Sequence, residues 1–235
     1  MSPKQFYDIV PPGVNKDELT GKLFVLEGAD GSGRSTQISI LTDWLEHEGF
    51  AVVNVGLKRS SLISKQFIEA QKSKVIGPTT LHLFYATDFV DQLENVIVPA
   101  LRAGFIVIAD RYIFTLMARA MARGANPEWV RSIYSLAIIP DATFYLKVRP
   151  ELLLERNFQK KNTLDYWESG MDIGLSQDPF TSFFTYQKKI QKYFLHMKQK
   201  YGFQVINGNR RIRTIARDLK KRISEYLPQI NNTKE

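Results

Sequence analysis

The sequence predicts an α/β fold in which five parallel strands form one sheet with helices over both faces. Two observations lead there. Apolar runs of strand length alternate with segments of helical periodicity along the 235 residues, the pattern of strands buried on both faces and joined by crossover helices. The first such run, Leu23-Phe24-Val25-Leu26, is followed by a glycine-rich stretch that leads directly into a helical pattern.

The elements follow in order. Residues 23–27 read as the first strand, and 35–48 as a helix with Ile38, Leu41, Trp44 and Leu45 on one face. Residues 51–55 are the second strand. Pro78 opens a long helix to about residue 101, because its fixed φ suits a first helical position. Residues 105–109 are the third strand, 112–122 a helix, and Asn126 caps a further helix beginning at Pro127. Residues 143–148 are the fourth strand, and Pro150 starts the next helix. A polar stretch over 159–177 precedes Asp178-Pro179, which opens a helix to about residue 200. Residues 203–206 are the fifth strand and 212–226 the last helix. No repeat or low-complexity run interrupts this order. The expected organisation is an extension over 1–21 carrying Pro11-Pro12-Gly13, one domain over 22–227 with a lid at about 156–178, and a tail over 228–235.

Composition narrows the classes. The chain has no cysteine, so disulfide frameworks and thiolate metal sites are excluded, in keeping with a cytoplasmic location. No apolar run is long enough to span a bilayer, and residues 1–22 lack the layout of a signal peptide. The net charge is +8, with many cations between Lys188 and Arg222. A nucleic-acid groove is one reading of that stretch; the solvated faces of two amphipathic helices is the favoured one. His47, His82 and His196 are scattered, so neither a zinc site nor a Ser/His/Asp hydrolase is indicated.

The loop Gly28-Ala29-Asp30-Gly31-Ser32-Gly33-Arg34-Ser35-Thr36 carries the chemistry. Glycines at both ends of a six-residue span, then a cation and a hydroxyl, form the layout of a phosphate-binding loop. Glycine lets backbone N–H groups curl around phosphate oxygens, and the following helix adds its positive end. Ser35 is placed to ligate a Mg²⁺ shared with ATP. The usual lysine is Arg34 here, which keeps the charge but is a planar fork. A glycine-rich turn that binds nothing is the alternative; the strand before and helix after favour phosphate. A second constellation, Asp110-Arg111-Tyr112, ends the third strand. Asp110 could hold Mg²⁺ through water or orient an acceptor, and Arg111 could clamp a phosphate bidentately. A structural ion pair is the competing reading.

Together these motifs resemble the thymidylate kinase family. The loop reads Glu27-Gly28-Ala29-Asp30-Gly31-Ser32-Gly33-Arg34-Ser35-Thr36-Gln37, and Leu83-Phe84-Tyr85-Ala86-Thr87-Asp88 looks like the family's acceptor helix. Pro140-Asp141, Val148-Arg149-Pro150-Glu151 and Leu164-Asp165-Tyr166-Trp167-Glu168 match in pattern, the last as a remnant of the family lid. The resemblance covers about residues 22–226. It implies a P-loop NTPase three-layer α/β/α fold with a helical lid, ATP and Mg²⁺ as cofactors, and transfer of phosphate to a nucleoside monophosphate, dTMP by preference. Gly28, Asp30, Gly31, Ser32, Gly33, Arg34, Ser35 and Thr36 would hold ATP, with Ser35 and Asp110 at the metal. Asp30 would take the deoxyribose 3′-hydroxyl, Arg111 the acceptor phosphate, and Phe84 or Tyr85 would stack on the base. A homodimer packed through helices is implied as well.

The departures cluster around the acceptor. Phe89 stands where the family has an arginine facing the pyrimidine, which keeps another pyrimidine monophosphate open as substrate. Lys58 and Arg59 are the cations available in place of the family's Arg-Glu-Pro run; Arg59 is the chosen candidate. Arg119 stands where an aromatic residue is expected near the sugar, and Tyr166 where bacterial-type members have a lid arginine. Gly31 cannot supply the loop arginine of animal and yeast members, so Arg156, Lys160 and Lys161 are the candidate lid cations, Arg156 foremost. A paralogue that binds nucleotides without turning them over is the alternative to a kinase.

Overall fold

A computed structural model describes residues 3–74, 76–161 and 163–228. The strands are β1 (Lys22–Glu27), β2 (Val52–Gly56), β3 (Ile106–Asp110), β4 (Ala142–Lys147) and β5 (Gln204–Asn207). They form one sheet in the order β2-β3-β1-β4-β5, and every pairing is parallel. Each strand lies within a residue or so of its sequence-predicted position. The helices are α1 (Arg34–His47), α2 (Ser64–Lys72), α3 (Pro78–Gln92), α4 (Val98–Arg102), α5 (Ile113–Ala122), α6 (Pro127–Ile133), α7 (Pro150–Lys161), α8 (Pro179–Tyr201) and α9 (Ile212–Ser224).

Alternation along the strands builds two cores. Leu23 and Val25 of β1, with Val107 and Ala109 of β3, face a core shared with α3, α5 and α8. Phe24, Leu26, Ile106 and Ile108 face the other core, completed by Ile38, Leu41 and Leu45 of α1 and Ile215, Leu219 and Ile223 of α9. The chain crosses over β1 in passing from β3 to β4, so the crevice beyond the carboxyl ends of β1 and β3 is the place for a ligand.

The capping expectations hold. Asn126 accepts from the N–H groups of Glu128 and Trp129, and Asp178 from that of Thr181. Pro78 and Pro150 are the first residues of their helices. Two features differ from the sequence reading. The helix expected over 78–101 is broken by a π turn at Leu93–Ile97, where the Val98 N–H reaches back to the Leu93 carbonyl. Pro99 has no N–H to continue the α ladder, and the wide turn just ahead of it absorbs the defect. Helix α2 was not expected; it is a nine-residue helix in which only Phe67 and Gln71 are buried. The described residues from 3 to 21 are anchored to the domain. Phe6 bridges to Ile138, and Lys4 and Lys22 both pair with Asp141. The tail from 229 onward lies outside the described residues.

Candidate active site

The loop after β1 bends where glycine is required. Gly28 has φ +154°, and a Cβ there would come within 2.7 Å of Ser32 Oγ. Gly31 has φ +80°, and its Cβ would press on Asn157 Nδ2 at 3.1 Å and the Leu153 carbonyl at 3.2 Å. The loop is therefore clamped from above by α7. Asn157 donates to the Asp30 carbonyl at 2.9 Å and Arg156 to the Gly31 carbonyl at 3.2 Å. No side chain caps the amino end of α1, which leaves its N–H groups for an anion.

Arg34 spreads over the floor of this loop. It donates to the carbonyls of Gly28 and Ala29, to Ser32 Oγ at 3.2 Å and to Asp110 Oδ1 at 2.8 Å, and lies 3.6 Å from Asp30. A compact ammonium could not span these partners at once. Ser35 Oγ donates to Asp110 Oδ2 at 3.3 Å. Arg59 approaches the same carboxylate at 3.9 Å, whereas Lys58 is turned over the ring of Phe67.

The β3 triplet completes the mouth. Asp110 stands opposite Leu26 of β1 and Gly56 of β2. Arg111 has φ +71°, a conformation that costs a non-glycine residue about 1–3 kcal/mol. It turns the guanidinium onto Asp30, 2.6 Å away, and leaves Nε buried with no partner among the described residues. Burial works to raise the Asp30 carboxyl, but Arg111, Arg34 and Arg119 outweigh it and hold it well below the usual carboxylate range. Burial also opposes ionisation of Asp110, and Arg34, Arg111 and Arg59 again win. Both carboxylates stay charged.

Glu27 has a different task. It is wholly buried and accepts from the Tyr112 and Thr115 N–H groups and the Thr115 hydroxyl, so it caps α5 from the neighbouring strand. Burial raises its carboxyl to about 7 despite those bonds.

The segment around Glu168 packs against the site. Glu168 pairs with Arg119 and lies 3.8 Å from Arg111, leaving a void of only about 10 Å³. Arg119 also donates to the Tyr85 hydroxyl at 3.0 Å. The segment is pinned by Trp167 Nε1 on the Gln71 carbonyl (3.2 Å) and by Arg123 on the Trp167 carbonyl (2.9 Å) and on Asp172.

A family model described as thymidylate kinase matches residues 26–219. The chain belongs to the thymidylate kinase family. It is 37% identical over 211 residues to a probable thymidylate kinase 2 of Saccharolobus solfataricus, covering 89% of this chain and 98% of that one. It is 31% identical over 218 residues to a probable thymidylate kinase of Staphylothermus marinus, and 28% identical over 217 residues to a thymidylate kinase of Caldanaerobacter subterraneus, each covering 89% of this chain and 98% of the relative.

Within that family frame, the structure brings together Asp30, Arg34, Ser35, Asp110, Arg111, Arg119, Arg156 and, more loosely, Arg59. Tyr85 forms the wall beside Arg119. Phe84 instead stacks on Phe67 with centroids 5.4 Å apart. Phe89 departs most from the sequence expectation. Its ring is buried edge-on between Tyr112 and Tyr134, at 5.3 and 5.9 Å, and it packs the core rather than facing a base. Its neighbour Asp88 ties down the loop after β2, accepting from the Lys58 and Ser60 N–H groups at 2.7 and 2.9 Å. The side chains of Lys160 and Lys161 lie outside what the structure describes. Sequence reasoning gave no role to Asn157, Glu27 or Glu168. Glu27 and Glu168 stood inside quoted motifs, which was the only signal available.

Proposed function

We propose that this chain transfers the γ-phosphoryl group of ATP to the phosphate of a nucleoside monophosphate, with dTMP as the acceptor. The observation that carries the reading is the convergence of Asp30, Arg34, Ser35, Asp110 and Arg111 at the mouth of the loop, between β1 and β3. Family membership supplies the substrate class.

The residues present fit ATP and Mg²⁺. The amino end of α1 is uncapped, glycine stands where a Cβ would collide, and Ser35 Oγ and Asp110 Oδ2 converge to 3.3 Å as hard oxygen donors. Among the described residues no three His or carboxylate groups gather; Ser35 and Asp110 would hold Mg²⁺, with phosphate and water as its further ligands. When bound, Mg²⁺ screens the charge of the phosphates and aligns them. Arg34 fixes the loop and offers its charge to the transferred group, with Arg156 at the Gly31 side. Arg111, through its unpartnered Nε, clamps the acceptor phosphate, and Arg59 flanks it. Asp30 orients the sugar. Tyr85, backed by Arg119, walls the base. Positioning and electrostatics suffice for this chemistry, and no covalent intermediate forms. The lid over about 156–178 excludes water.

A homodimer belongs to the same reading, since Leu62, Ile68 and Leu83 are exposed around α2 and α3; sedimentation measures it. Among the described residues no helix is long and apolar enough to cross a membrane, and a cytoplasmic setting fits an enzyme of nucleotide supply. The deciding experiment is ADP release with ATP and Mg²⁺ against dTMP, dUMP, UMP, dCMP, CMP, AMP and GMP. Preference for dTMP is the expected result. Silence across the panel with ATP binding intact overturns the reading in favour of a binding paralogue.

A further inference from the structure

Helix α8 has two working faces. Tyr186, Gln187, Ile190 and Phe194 wall the closed site beneath the lid. On another face, Lys189, Lys192, His196 and Lys200 follow at steps of three and four, a stripe about 16 Å long. That stripe borders a cavity of about 420 Å³, and Arg131 of α6 stands on the same rim. Met117, Met121 and Met197 contribute apolar lining, and no carboxylate lines the cavity. A second cavity of about 360 Å³ shares Met117, Arg131, Lys200 and Tyr201 and runs on to Tyr7 and Asp8.

Lysines on a helix surface are ordinary, and arginines elsewhere are only partly balanced: Arg149, Arg156, Arg211, Arg213 and Arg217 make no ion pair among the described residues, but none of them lines this cavity. Arg210 and Arg222 share Asp218, and Arg102 pairs with Glu18. Arg131, Lys189, Lys192 and Lys200 make no ion pair among the described residues. Cations from two helices thus converge on one apolar cavity with their charge uncompensated. Methionine lining adapts to the shape of what it meets, and the volume lies in the range of small-molecule sites.

We propose that this groove is a second ligand site, for an organic polyanion with a flat apolar body. The body lies against the methionines and Tyr201, and the anionic groups meet Arg131, Lys189, Lys192 and Lys200. Helix α5 connects the groove to the active site, carrying Met117 and Met121 to the one and Thr115 and Arg119 to the other. The Tyr193 hydroxyl donates to the Met121 carbonyl at 3.0 Å and pins α8 to α5. Occupancy therefore changes acceptor KM more than ATP KM. That coupling rests on the proposed kinase reading; the binding does not.

The test uses pyrene-1,3,6,8-tetrasulfonate as probe, read by fluorescence and calorimetry, with the ATP loop saturated by adenylyl imidodiphosphate. One equivalent should bind. Its affinity should fall at least tenfold in Lys189→Glu/Lys192→Glu and fall also in Met121→Ser, with Tm and circular dichroism unchanged. Equal binding by the charge-reversed variant overturns the proposal. So does inorganic triphosphate binding as tightly as the probe, which would mean charge alone on a solvated face. Tighter binding of a single-stranded oligonucleotide than of the probe overturns it too, assigning the face to nucleic acid.

Discussion

Glu27 offers a quantitative check on how the site is held together. Its carboxyl is wholly buried and raised to about 7 from an ordinary 4.5. The folded state therefore binds a proton that the unfolded state releases between those values. Stability from this residue is fully present below about 4.5 and is lost as pH rises through about 7. At 1.36 kcal/mol per pH unit the difference is about 3 kcal/mol. In a chain of this size that corresponds to a Tm change of about 6–12 °C. Glu27→Gln removes the titration while keeping an acceptor for the Tyr112 and Thr115 N–H groups. The measurement is urea unfolding of both proteins from pH 4.5 to 8.5, plotted as the difference between them, so that other titrating groups cancel. The advantage of the parent over the variant should shrink by about 3 kcal/mol across that range and level off above pH 8. A difference that stays flat would refute the reasoning, because it would mean that the three hydrogen bonds fully offset burial. Since Glu27 sets the start of α5, which carries Arg119, acceptor KM in the variant should lose pH dependence over the same interval.

Three further outcomes follow from the geometry. Arg34→Lys gives up part of the fork that joins Gly28, Ala29, Ser32 and Asp110; it should lower stability by about 1–3 kcal/mol and leave turnover within tenfold, and a large gain in turnover would show that the guanidinium obstructs the loop. Gly31→Ala places a side chain at φ +80° against α7; the left-handed conformation alone costs about 1–2 kcal/mol, and ATP KM should rise several-fold, whereas unchanged ATP kinetics would mean that the clamp by Asn157 and Leu153 is slack. Phe89→Leu thins the packing against Tyr112 and Tyr134; it should cost about 1–2 kcal/mol in denaturant unfolding without altering the order of preferred monophosphates, and a changed order would place Phe89 at the base after all.

The sheet was legible because its central strands β1, β3 and β4 are buried on both faces and read as continuous apolar runs, while the edge strands β2 and β5 are only partly buried. Helix ends were legible where chemistry marks them, at Pro78, Asn126, Pro150 and Asp178. Helix α2 was not, since it is only nine residues long and its burial rests on Phe67 and Gln71, so tertiary packing has to complete it. The phosphate loop and the β3 triplet were legible as spaced motifs. What a buried residue of α3 meets was not. Phe89 and Tyr85 lie one turn apart on the same buried face, yet Phe89 meets the rings of Tyr112 and Tyr134 while Tyr85 carries its hydroxyl to Arg119. Such a difference depends on which neighbouring elements stand opposite each turn of α3, which no spacing along the chain encodes.

The same limit explains why the lid carboxylate escaped notice, and its position has a mechanistic consequence. Arg111 and Arg119 are nearly buried, and burial favours the loss of their charge. Asp30 and Glu168 supply the compensating negative charge, so the closed site is balanced by its own side chains. An acceptor phosphate carries the same sign as both carboxylates. It can reach Arg111 only by taking over part of that balance, and the void of about 10 Å³ leaves no room for it while Glu168 stays in place. Asp30 belongs to the loop and is fixed by Asn157 and Arg111. Glu168 belongs to a lid segment held by side-chain contacts from Gln187, Trp167 and Arg123. On the proposed kinase reading, Glu168 is the partner that the acceptor phosphate displaces. Acceptor binding and release of Glu168 are then coupled, because the arginines assigned to the acceptor, Arg111 and Arg119, are the ones that Glu168 meets.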